Sequence, residues 1–237
     1  MARYRERKIP IVKFQLSISD NSRSNHPLDF PKMDNSLGIA LQNSVKDLVC
    51  KVSIPSYPFP VFTFLAENSL RELVMWKCNL TDISLSTSQV ASCHSLRKFS
   101  LSFVCLDQNL LQTLLNCCPL IVDFIIVHCS LLTNIELRNL QNIKSVSINS
   151  NHNQSVKIQA PTLEHLSYSG CRWEQFPVLD IAECQNLKSL ELSCMRISRG
   201  FLQHLISTSQ VLECLRLYDL STGWERFKIF GSQSLSS

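Results

Sequence analysis

Alternation of apolar and polar residues is the strongest signal in this chain. In "ELVMW" (72–76), Leu73 and Met75 fall on one side, while Glu72, Val74 and Trp76 fall on the other. That is the pattern of a short strand with one buried face. The stretch sits in a longer frame, "SLRELVMWKCNL" (69–80), which aligns with "SLRKFSLSFVCL" (95–106) as S-L-R-x-φ-x-φ-x-x-C/V-x-L, where φ is a large apolar residue. Further copies are "LIVDFIIVHC" (120–129), "TLEHLSYSGC" (162–171), "NLKSLELSCMRI" (186–197) and "VLECLRLYDL" (211–220). Weaker ones are "IVKFQLSIS" (11–19), "SVKDLVCKVS" (44–53), "LTNIELRNL" (132–140) and "NIKSVSINSN" (142–151).

The first apolar positions of the successive copies are Val45, Leu70, Leu96, Ile121, Leu132, Ile143, Leu163, Leu187 and Leu212, with gaps of about 25, 26, 25, 11, 11, 20, 24 and 25 residues. A repeat of about 20–29 residues with the pattern L-x-x-L-x-L-x-x-N/C-x-L is the leucine-rich repeat. The expected fold class is therefore α/β: a leucine-rich-repeat solenoid with a curved parallel sheet on the concave face and helices and irregular loops on the convex face. One repeat cannot bury its own apolar side, so neighbours must stack into a shared core. Cys78, Cys129, Cys171 and Asn151 occupy the position that turns the chain away from the strand.

The segments between strands should be helical or irregular. "DQNLLQTLLNCCP" (107–119) places Leu110, Leu111, Leu114 and Leu115 at helical spacing, with Asp107 near the start and Pro119 as a stop. "SRGFLQHLISTSQ" (198–210) repeats the idea, and the proline-rich "IPSYPFPVF" (54–62) reads as an extended return. The two short gaps leave no room for a helix, so tight turns are expected there.

Composition narrows the function classes. Of the 237 residues, 45% are hydrophobic and 18% charged, as in a globular protein. The formal charge is only +4, much of it in the N-terminal "RYRERK", which argues against a nucleic-acid partner. No run approaches the roughly 20 apolar residues that span a bilayer, and no secretory signal is visible, so a cytoplasmic or nuclear location with no membrane partner is expected. The 11 cysteines include no CxxC pair and no zinc-ligand spacing, which reads them as structural thiols. Phosphate-binding, nucleotide-binding, hydrolase and kinase motifs are absent. The expectation is a non-enzymatic chain with no catalytic residues, cofactor or metal.

At the level of whole segments, "NSLRELVMWKCNL", "LLNCCPLIVDFIIVHC" and "IQAPTLEHLSYSG" resemble the repeat region of plant F-box/leucine-rich-repeat proteins, a likeness that covers roughly residues 9–220. The resemblance implies substrate recognition: an F-box docks on a Skp-type adaptor of a cullin ubiquitin ligase, while the repeats bind the protein to be ubiquitinated. Because the first repeat begins so close to Met1, the chain reads as a truncated member without its F-box. Adaptor binding would then require an F-box upstream. The alternatives are the repeat domain of an intracellular immune receptor or a general scaffold. The expected organisation is a basic tail over 1–8, repeats over 9–220 and a polar tail over 221–237.

Outward strand positions are where a protein target would bind. Read copy by copy, they are partly apolar early (Val49, Val74, Trp76, Ile125, Val127) and polar later (Asn134, Glu136, Arg138, Ser145, Ser147, Asn149, His165, Ser167, Ser189, Glu191, Arg216, Tyr218). Aromatic, apolar and arginine side chains are the favoured anchors, which selects Val74, Trp76, Ile125, Val127, Arg138, Arg216 and Tyr218 as candidate protein contacts. Packing of Val74 and Trp76 under a loop is the competing structural reading.

Overall fold

The computed structural model describes residues 11–19, 30–54, 56–81, 92–150, 154–170, 179–195, 197, 200, 201, 203, 205 and 211–218. The expected tails over 1–8 and 221–237, the turn residues Asn151 and Cys171 and most of the expected helix over 198–210 lie outside them. The chain divides into two compact units, Met1–Ile121 with Cys129–Leu131, and Val122–His128 with Leu132–Ser237.

In the first unit the elements run β1 (Lys13–Ser19), α1 (Phe30–Gln42), β2 (Asp47–Ser53), α2 (Val61–Leu65), β3 (Glu72–Trp76), β4 (Lys98–Ser102) and α3 (Gln108–Asn116). The strands pair in parallel and in chain order, with Asp47 beside Glu72 and Glu72 beside Lys98. This register stacks Leu48, Leu73 and Phe99 in one inward column and Cys50, Met75 and Leu101 in the next, all fully buried. Burial of such side chains contributes on the order of 1.5–3 kcal/mol each, which is why the alternation is so strictly kept. In β1 the inward Phe14, Leu16 and Ile18 are only half-buried.

Each helix has a local cause. Asp107 caps α3 by accepting a hydrogen bond from the Leu110 amide at 2.8 Å, and Leu110, Leu111, Leu114 and Leu115 form its buried stripe. Beyond Cys117 the chain meets Pro119 and leaves the helix. The helix α1 was not anticipated. Pro31 lies in its first turn, where a missing N–H costs nothing, and Met33, Leu37 and Ala40 supply one buried side. The "IPSYPFPVF" return packs beside it: the Tyr57 hydroxyl donates to Asp34 Oδ1 at 2.6 Å, and the Phe30 and Tyr57 rings lie 5.5 Å apart.

The second unit contains β5 (Asp123–Val127), β6 (Asn134–Leu137), β7 (Ser145–Asn149), β8 (Ser155–Ile158), β9 (His165–Ser169), β10 (Leu179–Asp180), β11 (Ser189–Ser193) and β12 (Cys214–Tyr218). Here one expectation fails. The two gaps of 11 residues do not mark two small repeats joined by tight turns. β5 pairs with β7, and β6 instead joins β8 and β10 in a separate three-stranded parallel sheet. The segment from Ile121 to Ile143 is thus a single repeat whose return path is too short for a helix and is extended instead. Ile135, Leu137, Val156 and Ile158 on this second sheet are buried, as are Phe124, Val146, Leu166 and Leu190 on the first.

Side chains stitch successive repeats at both strand ends. The hydroxyl that precedes the first leucine donates back to the preceding repeat: Ser69 to Val45 O, Ser95 to Leu70 O and Thr162 to Ile143 O, at 3.1, 2.7 and 2.9 Å. At the turn position, the Cys78 thiol points to Cys50 O at 3.7 Å and the Cys129 thiol to Leu101 O at 3.6 Å. Strand exits pass through the left-handed region at Lys77, Phe103, His128 and Cys194, with φ of 56°, 55°, 49° and 51°. A single left-handed residue turns the chain sharply, at a cost of about 1–2 kcal/mol for a non-glycine residue.

At the start of the strands in the second unit, Glu164 accepts hydrogen bonds from Lys144 Nζ at 2.6 Å and Lys188 Nζ at 2.8 Å. These two lysines hold its carboxyl down at about 2. A depressed carboxylate contributes stability that is complete above its ordinary value near 4.5 and fades as the pH falls toward 2. Wild type should therefore melt above Glu164→Gln at neutral pH, and the gap should shrink steadily as a pH series of melting curves descends below about 4.5. The gap should be small throughout, because the pair is exposed.

Two glycines should behave in opposite ways. A Cβ on Gly38, within α1, would meet nothing within 4 Å, so Gly38→Ala should raise stability by about 0.5–1 kcal/mol. A Cβ on Gly170 would lie 3.1 Å from Cys194 O and 3.2 Å from Met195 Cβ, where the next repeat passes. Gly170→Ala should lower stability by about 1 kcal/mol; urea midpoints of the two variants check both signs.

Candidate protein-interaction surface

Strand register sorts the expected contact residues into rows. In the first unit, Val49, Val74 and Ser100 form the middle outward row, and Lys51, Trp76 and Ser102 the next. Val49, Val74, Trp76 and Ser102 are half-buried and Lys51 is exposed, whereas Ser100 is only 8% exposed. Trp76 packs edge-on against Phe103 with centroids 6.1 Å apart at 73°, and Lys77 Nζ lies 4.4 Å over the Trp76 ring. A T-shaped aromatic pair with a cation on one face is a fixed arrangement. Trp76 thus packs against the exit of the next repeat while remaining only half-buried. Phe103, 44% exposed, extends this aromatic surface.

In the second unit the middle outward row runs Ile125, Ser147, Ser167, Glu191, Arg216, and the next runs Val127, Asn149, Ser169, Ser193, Tyr218. Ile125 and Val127 are half-buried, while Arg216 and Tyr218 are exposed. Four strand steps of about 4.8 Å separate Ile125 from Arg216, or roughly 19 Å. The residues between them are polar, so the two ends of these rows are separate features.

Arg138 leaves the set. It follows β6, which belongs to the three-stranded sheet, and it pairs with Glu136 of the same strand. Asn134, Glu136 and Arg138 therefore do not share a sheet with Ile125 or Arg216, because the short return of that repeat is itself a strand.

The sequence reading undervalued three residues, Lys46, Arg71 and Arg97, which immediately precede β2, β3 and β4. The arginines were visible as the shared letter of the S-L-R frame, but they read as part of the repeat pattern and not as a surface. All three are exposed. Phe103 and Lys77 were also missed, since each follows a strand and falls outside the alternation.

Burial pushes the Cys78 and Cys184 thiols up to about 11, so the nucleophilic thiolate is disfavoured there, whereas the hydrogen bond with the Cys118 thiol brings the buried Cys93 down to about 5. Cys117 and Cys118 end α3, Ile121, Phe124 and Ile126 are core, and Cys129 is the buried turn residue. Among the described residues no group of three or more His, Cys, Asp or Glu is placed to hold a metal ion, and no helix is long and apolar enough to cross a membrane.

Comparison with known proteins places this architecture. The family model described as At1g61320/AtMIF1, LRR domain, matches residues 5–178, well over half of the chain. A second, FBD-associated F-box protein At5g56370, LRR repeats, matches residues 158–237. No curated protein and no solved structure matches. The repeat frame, the parallel ladders and the extent of the first match agree, and the chain belongs to the At1g61320/AtMIF1 leucine-rich-repeat family.

Proposed function

We propose that this chain recognises a protein target through the outward face of its strand ladders, the concave face of the solenoid, as a substrate-recognition module of the F-box/leucine-rich-repeat kind. Leucine-rich repeats are generally non-catalytic interaction modules, and the families matched include the repeats of an F-box protein. One observation supports the outward face above others. Core burial requires no apolar residue at the outward positions of β3 and β5, yet Val74, Trp76, Ile125 and Val127 stand there half-covered. Half-covered aromatic and branched side chains on a rigid strand face are typical anchors for a partner. Arg216 and Tyr218 on β12 form a second, polar-aromatic contact point.

In the ligase reading, the repeats hold a protein in the cytoplasm or nucleus while an F-box elsewhere in the protein engages a Skp-type adaptor. The repeats do not themselves supply that adaptor contact. Co-purification of the full-length protein with a Skp-type adaptor supports the ligase role; a target without an adaptor reduces the function to binding alone.

The test of the surface uses photo-crosslinking residues placed singly at Val74, Trp76, Val127 and, as a control, Arg138. Crosslinks to one discrete protein from the first three positions, and none from Arg138, are expected. Crosslinks from Arg138 alone would move the binding surface to the three-stranded sheet. Trp76→Ala should weaken capture of the crosslinked protein by roughly tenfold or more, as for an anchor worth about 2 kcal/mol.

A further inference from the structure

The residue just before each strand lies in a column set by the backbone. The Arg71 amide donates to Lys46 O at 2.6 Å and the Arg97 amide to Arg71 O at 2.8 Å. In the second unit the Glu164 amide donates to Lys144 O, the Lys188 amide to Glu164 O and the Glu213 amide to Lys188 O, at 2.9, 2.9 and 2.8 Å. The two units thus build the same device, and neighbouring members of each column are roughly 4.8 Å apart.

Their charges differ. The column of the second unit reads Val122, Lys144, Glu164, Lys188, Glu213: the signs of its charged members alternate, and two of the contacts are ion pairs. The column of the first unit reads Lys46, Arg71, Arg97, three cations in a row. Like charges opposed on neighbouring strands are destabilising; Arg71 is offset by Asp47 at 3.7 Å, and Arg97 Nη1 donates to the His94 and Leu96 carbonyls at 2.8 and 3.2 Å, but the column lacks the alternation of sign found in the second unit. The surrounding surface does not reverse the sign. The nearby acids Asp47 and Glu72 are engaged by Arg71 at 3.7 Å and Lys98 at 3.6 Å. Lys51 stands beside Trp76 and Lys77 lies over its ring, so further positive charge lies at the far ends of these strands, beyond Asp47 and Glu72.

We infer that the Lys46–Arg71–Arg97 column is a docking edge for an extended acidic segment of a partner protein, running across the strand starts of the first unit. The inference rests on the protein-recognition reading and adds to it the chemistry of the partner. Alternate side chains of an extended segment are about 6.6–7 Å apart, so two or three acidic residues reach the whole column. A nucleic acid fits less well. Its binding would call for more phosphate contacts than three cations give, and Lys77 already covers one face of the Trp76 ring on which a base would stack.

The decisive variant is Arg71→Glu, which gives the first column the alternation already present in the second. It also removes the exposed Arg71–Asp47 pair, so the melting temperature should fall only slightly. The probe is a fluorescein-labelled ten-residue polyglutamate peptide, followed by anisotropy at low salt with the full chain. Wild type should bind it, added salt should weaken it, and Arg71→Glu should weaken it at least tenfold. Lys157→Glu, which makes the same change in net charge on the three-stranded sheet, should have little effect. Equal losses from the two variants would show that only net charge matters and would overturn the proposal, as would tighter binding of a single-stranded RNA of equal length. The crosslinked partner separates this proposal from the one beneath it. If Trp76→Ala abolishes capture and Arg71→Glu does not, the acidic-segment inference fails and the recognition surface stands. If neither affects capture, both fail.

Discussion

The structure depends on how each strand begins. Two consecutive amides at the strand start share one carbonyl of the preceding repeat: Arg97 and Lys98 donate to Arg71 O, and Lys188 and Ser189 to Glu164 O. That forked contact fixes the register of the strand that follows. A slip of one residue would turn every inward leucine outward. With the register fixed, Leu48, Leu73 and Phe99 stack over one another in the first unit, and Val146, Leu166 and Leu190 in the second. Hydroxyls such as that of Ser95 reinforce the start of the strand, and thiols such as that of Cys129 reinforce its end. The core therefore needs only alternate positions, and the others are free to vary.

That freedom is where recognition can arise. Outward positions lie outside the stacked inward columns, so an apolar residue there is not explained by the core. The first unit has Val74 and Trp76, with Phe103 and Lys77 fixing the indole, and the second has Ile125 and Val127. The strand-start columns follow the same logic. Glu164 between two lysines lowers the electrostatic energy of its column, whereas the column of Lys46, Arg71 and Arg97 has no such alternation, and Arg71 finds its acid partner, Asp47, outside it. A row of like charges kept in one unit and avoided in the other is a reasonable place to look for a partner.

Much of this was legible in the sequence because strand side chains have a period of two and the repeats a nearly constant length. The strands around Leu73, Leu101, Ile126, Leu166 and Leu190 lie where the alternation puts them, and Asp107 and Pro119 bracket α3 as their chemistry requires. The misreading at Leu132 has a physical cause. "NIEL" alternates like any other strand, and alternation cannot tell which of two sheets a strand joins. Arg138 was misplaced for that reason. The helix α1 was missed because Met33, Leu37 and Ala40 form a weak stripe interrupted by Gly38. The aromatic pair was missed because Phe103 lies in a left-handed exit, a backbone state that no local pattern marks.

Forked amide contacts at the starts of β3, β4, β7, β9, β11 and β12 set the register of those strands, and amide hydrogen exchange measured by NMR tests this directly. Arg97 and Lys98 in the first unit, and Lys188 and Ser189 in the second, carry side chains that are exposed or half-exposed. Their amides should nevertheless exchange as slowly as those of the buried Phe99 and Leu190. Exchange at these four amides as fast as in an unstructured peptide would contradict the account.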